Sequence, residues 1–218
     1  YTRPVRPSPP RRADGFRERG QQVTRLEAFV DAAFAFALTL LLISVGDVPD
    51  SIPAMLDALR RIPAFAAAFA LLAMFWWAHN TWSRRYGLHD GPALVLSLAY
   101  VFVALIYVYP LRLLFEGLFA WLSGGALPGA ITVATVGELQ AIYVTYGACF
   151  TSMGLVLAAL YAHALRRRDL LTLDPHETRE TVGEVAARLW LVANGLFSIA
   201  VALLLPARGA SWVYALPG

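Results

Sequence analysis

Charged residues are scarce in this chain, and their scarcity excludes most soluble folds. Only 15% of the 218 residues are charged and 58% are hydrophobic, whereas a typical soluble domain carries roughly 25% charged residues. The mean hydropathy of +0.57 is accordingly that of a membrane protein. The alternating apolar and polar pattern of a membrane-spanning barrel is absent, so the spanning elements are predicted to be helices.

Cysteine and the motifs of catalysis are also missing. Cys149 is the single cysteine, so the chain cannot form an internal disulfide, and it lies in an apolar stretch where a buried thiol is expected. The sequence contains no glycine-rich phosphate loop, no nucleophile motif, and no histidine or cysteine cluster with metal-ligand spacing. We therefore expect no enzymatic activity, no metal site and no cofactor.

Five long apolar stretches are present, each able to cross a hydrocarbon core of about 30 Å as a helix. They predict membrane-spanning helices at about 27–45, 56–82, 92–115, 139–165 and 182–205. Residues 1–22 are rich in proline and arginine and are interpreted as a basic, disordered cytoplasmic arm, followed by a transmembrane domain at 23–218. The predicted fold class is all-α, a polytopic helical membrane protein.

The distribution of arginine gives an expected orientation. Arginines occur along the N-terminal arm and in the turns after the second and fourth stretches, whereas the connections 46–55 and 116–138 contain no basic residue. Because positively charged loops stay in the cytoplasm, the N-terminus is predicted to be cytoplasmic. The arm is interpreted as this topology signal rather than as a nucleic-acid site. Arg60 and Arg61 lie at the opposite end and are expected to extend to the outer interface.

The first apolar stretch, RLEAFVDAAFAFALTLLLISV, combines charges in its first turns with an apolar face. On a helix, Phe36, Leu40 and Ile43 recur at i, i+4 and i+7, and Asp47 continues the series. One face therefore presents bulky apolar side chains with a carboxylate at its extracellular mouth. Asp31 lies about 140° around the helix from Phe36 and is expected to point into the protein.

A stripe of small residues runs along the same helix and lets another helix approach closely. It consists of Ala28, Ala32 and Ala35.

An intramembrane carboxylate is costly unless donors surround it, so Asp31 needs partners. Arg25 is one candidate, and the end of the second stretch, FWWAHNTW, supplies the others: Trp76, Trp77, His79 and Asn80. A buried network of Arg25, Asp31, a tryptophan N–H and His79 is predicted to fix the first helix against the second. The alternative is that the tryptophans and the arginine are interfacial anchors.

These two segments resemble a known family. RLEAFVDAAFAFALTLL resembles the signature of the transmembrane protein 175 family of potassium channels, an arginine, three residues and then Phe-Ser-Asp, with Phe29 and Asp31 in the outer positions. FWWAHNTW resembles the aromatic-His end of that family's second helix. Two positions depart from the pattern, because Val30 replaces the signature serine and Phe36 stands where the family has Ile or Leu.

The resemblance implies a homotetramer of six-helix subunits in a prokaryotic plasma membrane, whose first helices line a potassium-selective pore. Carried over by position, Phe36 is the narrowest ring, Leu40 and Ile43 are further hydrophobic rings, and Thr39 is the polar residue beside the filter. Arg25, Phe29, Asp31 and the tryptophan-histidine segment would be the supporting network. The expected partners are potassium ions and membrane lipid, and no nucleic acid. A sixth helix of the family type would begin within ASWVYALPG.

Two other functions stay open at this point. Asp31 and His79 suit a proton-coupled transporter, because ionisable pairs in membranes often serve as proton relays, although the sequence shows no inverted repeat. The third interpretation is a non-conducting membrane scaffold whose aromatic faces only pack. The charged helix start, the apolar face and the resemblance together favour the channel.

Overall fold

The computed structural model describes residues 10–43, 49–129, 133 and 135–204. These residues form six helices: α1 (Arg25–Ile43), α2 (Ile52–Arg60), α3 (Ile62–Tyr86), α4 (Gly91–Leu122), α5 (Val136–Arg166) and α6 (Pro175–Leu204). Within the described ranges, all but α2 are long and apolar enough to cross a membrane. The predicted all-α fold with five spans is confirmed. Residues 205–218, where a sixth family-type helix was expected, lie outside the described residues.

The predicted second span, 56–82, is wrong in one respect, because it joins two helices that the chain separates. Arg61 ends α2 and precedes the first residue of α3. Pro63 explains the break: it is tolerated in the first turn of a helix, where its missing N–H has no partner, whereas inside one continuous helix its ring would clash with the preceding turn. α2 is therefore a separate short helix, and none of its residues is buried.

The core is built mainly from α1, α3 and α4, and one side of α5 completes it. One stripe of α1, consisting of Val30, Phe34, Ala37 and Leu41, is buried in the contacts with α3 and α4. Tyr100 of α4 lies in the centre of this core, with its ring 6.0 Å from that of Phe34 and its hydroxyl donating a hydrogen bond of 2.9 Å to the carbonyl of Phe75. The hydroxyl can be buried because it has this partner.

α5 packs on α4, and α6 packs mainly on α5. The α5–α6 contact is close because glycines lie in it. A Cβ atom added to Gly195 of α6 would collide with Thr151, and one added to Gly147 of α5 would collide with Ile199. Small residues of this kind allow helix backbones to approach each other within a membrane, where packing rather than the hydrophobic effect drives association.

The N-terminal segment is packed against the ends of the helices in the part that the structure describes. Phe16 is fully buried, edge-on to the Tyr86 ring at 6.0 Å and with the Arg85 guanidinium 4.3 Å from its ring centroid. Residues 10–20 therefore differ from the disordered arm that their proline and arginine content indicated, because one aromatic side chain anchors them. Residues 1–9 lie outside the described residues.

Glu177 fixes this segment to α6. Its buried carboxylate accepts hydrogen bonds from the Arg19 guanidinium at 2.7 and 3.0 Å, from the Arg17 N–H at 2.8 Å and from the Asp174 N–H at 3.1 Å. Asp174 accepts a bond from the Glu177 N–H at 2.9 Å, which completes a capping box. Asp174 followed by Pro175 is also a helix-start signal in the sequence, and α6 begins at Pro175. We call this end of the bundle, where α1 and α6 begin and α3 and α5 end, the basic end.

Candidate functional site

α1 begins in a capping box at the basic end. The Thr24 hydroxyl accepts a hydrogen bond from the Glu27 N–H at 3.2 Å, and the Glu27 carboxylate accepts one from the Thr24 N–H at 2.7 Å. The other oxygen of Glu27 accepts a bond from the hydroxyl of Ser83 in the last turn of α3. Thr-x-x-Glu is the sequence signature of this arrangement, although Thr24, Glu27 and Ser83 were not among the predicted site residues.

Asp31 and Trp76 join α1 to α3 one turn further along. The indole Nε1 of Trp76 donates a hydrogen bond of 2.7 Å to Oδ1 of Asp31, so the predicted tryptophan donor is present, whereas Trp77 is 63% exposed. Asp31 bonds to a neighbouring helix as predicted, but it is exposed in the single subunit and not buried as the predicted network required. It follows the buried Val30 by about 100° around the helix, which turns its carboxylate out of the buried stripe.

His79 lies apart from this pair. Its Nε2 is 2.9 Å from the Ser97 hydroxyl of α4, and its ring stacks on Tyr100 at 5.6 Å. His79 faces the buried contact with α4, and it is only 3% exposed. The partners of His79 are therefore Ser97 and Tyr100 of α4, whereas the sequence analysis placed His79 in the network around Asp31.

Three further predicted members of the network, Arg25, Trp77 and Asn80, make no side-chain hydrogen bond or ion pair with the described residues. Arg25 is exposed at the start of α1, and Asn80 is half-buried on α3. The predicted single network is instead three separate pairs, Glu27 with Ser83, Asp31 with Trp76, and His79 with Ser97. All three pairs attach α3 to a neighbouring helix near the basic end.

The predicted pore face of α1 is exposed in the single subunit. Phe36 is 56% and Ile43 66% exposed, Thr39 between them is also exposed, and Leu40 is half-buried against the core. Phe29, 53% exposed, extends the same stripe by two turns towards the basic end. The predicted mouth residue, Asp47, lies outside the described residues.

Thr39 is the one polar side chain in this exposed stripe. Its hydroxyl donates a hydrogen bond of 2.9 Å to the carbonyl of Ala35, one turn earlier in the same helix. That bond uses the proton and leaves the lone pairs of the oxygen available to a cation or to water.

The stripe of small residues on α1 is also exposed. Ala28, Ala32 and Ala35 lie beside the apolar stripe, on the side away from the core. The subunit therefore presents a narrow, shallow surface next to Phe36, which leaves room for the backbone of another helix.

An ionic cluster fixes the α3–α4 turn to the end of α5. Asp90 caps α4 by accepting from the Ala93 N–H, and its carboxylate lies 2.9 Å from His163 and 3.2 Å from Arg167. Desolvation would raise the pKa of Asp90, but the hydrogen bonds from His163 and Ala93 and the charge of Arg167 outweigh it and hold that pKa below its ordinary value.

Asp174 at the start of α6 is perturbed in the same direction. The hydrogen bond from the Glu177 N–H and that from the Arg11 guanidinium lower the pKa of Asp174 to about 2. Both bonds favour the ionised carboxylate, because it is the better acceptor.

Known proteins match this chain over most of its length. The profile of the family described as "Endosomal/lysosomal potassium channel TMEM175" matches residues 25–110, which include α1, α3 and most of α4. A protein of Marivirga tractuosa named "Potassium channel" is 32% identical over 197 residues, which are 88% of this chain and 79% of that protein. The chain belongs to the TMEM175 family. The resemblance seen in the first helix and in FWWAHNTW is thereby confirmed.

Solved TMEM175 structures share the fold. The crystal structure of a variant of the potassium channel MtTMEM175, in complex with a nanobody fusion protein, matches with a TM-score of 0.83 at 28% identity and covers 94% of this chain and 93% of that one. A lysosomal potassium-selective channel TMEM175 homolog from Chamaesiphon minutus matches with a TM-score of 0.53 at 20% identity, covers 87% of this chain and 95% of that one, and supports the fold alone.

Proposed function

We propose that this TMEM175 protein is a moderately potassium-selective channel whose pore is lined by α1 and narrowed by rings of apolar side chains. The observation that carries the proposal is the division of α1 into two faces. One stripe is buried against α3 and α4, whereas Phe36, Thr39 and Ile43 form an exposed stripe of two bulky apolar residues and one hydroxyl. The choice of potassium as the permeant ion rests on the Marivirga relative, which is named "Potassium channel".

A pore lined by α1 requires several subunits, because one helix cannot enclose a channel. We propose the homotetramer that the family resemblance implies, with the exposed strip of Ala28, Ala32 and Ala35 as the place where the neighbouring first helix approaches. Four copies of the apolar stripe would then face a common axis. The basic end would face the cytoplasm, because arginine-rich connections stay on that side.

Conduction through such a pore depends on wetting. A ring of Phe36 side chains excludes water when it is narrow, and a small outward movement of α1 admits water together with a partly dehydrated cation. The phenyl faces attract a cation through their negative quadrupole, and the Thr39 oxygen replaces part of its hydration shell. Without a cage of carbonyl oxygens, this filter discriminates ions mainly by the cost of dehydration.

A proton-coupled transporter is the second candidate, because Asp31 and His79 are ionisable groups within spanning helices. The contacts favour the channel. Asp31 is bonded to Trp76 and His79 to Ser97, so a proton would have no direct bond along which to pass between the two. A non-conducting scaffold would leave the exposed stripe as a lipid or packing surface.

Flux of potassium and of sodium in proteoliposomes tests the proposal. The comparison uses the native chain, Phe36→Ala, and Phe197→Ala as a matched control that removes another exposed phenyl ring from α6, 70% exposed against 56% for Phe36. We expect potassium flux above sodium flux in the native protein. Phe36→Ala should raise both fluxes and reduce their ratio, and Phe197→Ala should leave the ratio unchanged.

Two results would contradict the proposal. Folded, full-length native protein that gives no flux above that of empty liposomes supports the scaffold. Flux that saturates with potassium, requires a pH gradient and is lost in Asp31→Asn supports the transporter.

A further inference from the structure

α2 has an apolar face that the described residues leave uncovered. The helix begins at the Ser51 cap, whose hydroxyl accepts a hydrogen bond from the Ala54 N–H. Its large apolar side chains recur at i, i+3, i+4 and i+7 and so lie within about 100° of each other around the helix. They are Ile52, Met55, Leu56 and Leu59, between 42% and 66% exposed.

Ion pairs of Arg61 join the end of α2 to the bundle. Arg61, which joins α2 to α3, lies 3.2 Å from Asp57 of α2 and 3.8 Å from the buried Glu116 of α4. Arg112, one turn before Glu116, also bonds that carboxylate at 2.7 Å. Arg61 was expected to extend to the outer interface, and it instead reaches inward to Glu116.

This arrangement is the reverse of a helix on the surface of a soluble protein, where the apolar side faces the core. Here the Arg61–Glu116 ion pair ties the end of α2 to α4, and the large apolar side chains of α2 are exposed. Water is a poor environment for the apolar face of α2, because removing apolar surface from water is favourable and this face leaves four large apolar side chains exposed together.

The height of α2 on the bundle identifies what covers it. α3 has 25 residues, so its length is about 37 Å at a rise of about 1.5 Å per residue. A hydrocarbon core is about 30 Å thick, and the basic end of α3 carries Arg84 and Arg85, which belong in the headgroup region at one surface. The corner at Arg61 then lies a few ångströms beyond the core at the other surface.

We propose that α2 is an interfacial anchor whose apolar face docks into the bilayer at the boundary between headgroups and acyl chains. A short amphipathic helix at this level lies in the plane of the membrane with its apolar side chains among the acyl chains. The bond from Arg61 to Glu116 sets its depth. The docking requires only that the protein spans the membrane, and it does not depend on which ion, if any, permeates.

Fluorescence quenching of single labels tests the docking in liposomes. Cys149→Ser removes the native thiol from the full chain, and Leu56→Cys and Leu59→Cys then each carry a bimane label on the apolar face. Ala54→Cys is the matched control, because it lies about 200° from Leu56 around the same helix. Each label is exposed to lipids brominated in the upper acyl chain and, separately, to iodide in the water.

We expect brominated lipid to quench the labels at Leu56 and Leu59 at least twofold more strongly than the label at Ala54, and iodide to give the opposite order. Two outcomes would overturn the proposal. Strong iodide quenching at Leu56 with no effect of bromine would place α2 in water. Quenching by neither agent would remove the bilayer as the partner, and an oxidative disulfide between unlabelled Leu56→Cys subunits would make the face a subunit contact.

If a labelled variant fails to reconstitute, Ile52→Cys or Met55→Cys takes its place in both quenching measurements, because these residues lie on the same face. The quenching needs no ion flux, so a failure of the channel proposal leaves this test unaffected. Conversely, a channel that conducts normally while α2 is quenched only from water would contradict the anchor and leave the channel proposal in place.

Discussion

The indole N–H of Trp76 lies 2.7 Å from the carboxylate of Asp31, and this bond connects α1 to α3 outside the buried core. A hydrogen bond to a charged acceptor contributes more than one between neutral groups, and partial exposure reduces that contribution. The bond therefore holds the helix that we propose to line the pore at a point where packing alone is weak. Asp31 of the family signature thus has a structural reason in this chain.

Trp76→Phe removes the donor and keeps an aromatic ring, and we expect it to lower the stability of the folded state by about 1 to 2 kcal/mol. A double-mutant cycle with Asp31→Ala should give a coupling of about 1 kcal/mol. The measurement is thermal unfolding in detergent. Trp77→Phe, which alters the exposed neighbour, is the control and should combine additively with Asp31→Ala; an equal coupling for both tryptophans would disprove the specific bond.

Glu177→Gln should release the N-terminal segment from α6. Glu177 is fully buried and Arg19 is 11% exposed, so the substitution leaves a buried guanidinium without its counter-charge, a change that costs about 3 to 5 kcal/mol. We expect trypsin to cleave after Arg17 and Arg19 at least tenfold faster than in the native protein. Mass spectrometry of the fragments identifies the cleaved bonds.

The control for that substitution is Glu18→Gln, since Glu18 is 30% exposed and its pairs with Arg12 at 3.9 Å and with Arg84 at 3.4 Å are both partly exposed. Such pairs contribute about 0 to 1 kcal/mol, so the cleavage rate should change little. Equal protection of the segment in Glu177→Gln and in the native protein would show that its other contacts, among them the packing of Phe16 against Tyr86, anchor it without Glu177.

The start of α6 should weaken in acid. Because the pKa of Asp174 is lowered from 3.8 to about 2, the ionised carboxylate stabilises the folded state at pH values above 3.8, and this contribution is lost as the pH falls towards 2. The melting temperature of the native protein should therefore exceed that of Asp174→Asn by a constant amount between about pH 5 and pH 7. The difference should shrink below about pH 4; a difference that grows on acidification would reverse the assigned sign.

The fold was largely predictable because hydropathy and helix capping are local. Five spans followed from apolar length alone, and Asp174 with Pro175 marked the start of α6 correctly. The break at Arg61 was missed because an apolar run continues across it, and the deciding signal was the position of Pro63. Hydropathy averaged along an apolar stretch does not register a single proline, whereas one proline is enough to end a continuous helix.

The site was less predictable because its partners are distant in sequence. A tryptophan donor to Asp31 was predicted, with Trp76 and Trp77 as candidates, and the structure selects Trp76. The choice of Ser97 as the partner of His79 depends on how α3 and α4 pack, and no local pattern records it. The packing of Phe16 against Tyr86 is similar, since one aromatic residue in a proline- and arginine-rich segment does not reveal its contact. Composition indicated disorder there, and one tertiary contact overrides composition.

The α5–α6 contact provides a prediction with its control on the same helix. A Cβ added at Gly195 would meet the Thr151 side chain at less than van der Waals distance, whereas one added at Gly183 has open space around it. Gly→Ala inside a helix otherwise stabilises by up to about 1 kcal/mol, because alanine loses less conformational freedom. Overpacking a close contact costs about 1 to 3 kcal/mol.

We therefore expect the two substitutions to act in opposite directions. Gly195→Ala should lower the melting temperature in detergent, and Gly183→Ala should leave it unchanged or raise it. Thr151→Ser in the Gly195→Ala background removes a methyl group from the contact but keeps the hydroxyl, so little recovery is expected; Thr151→Ala removes the colliding oxygen and should restore most of the lost stability. If Gly195→Ala were as stable as Gly183→Ala, α5 and α6 would lie further apart than the contacts of Gly195 and Gly147 indicate. A need for close helix approach would then not explain the presence of glycine at these two positions.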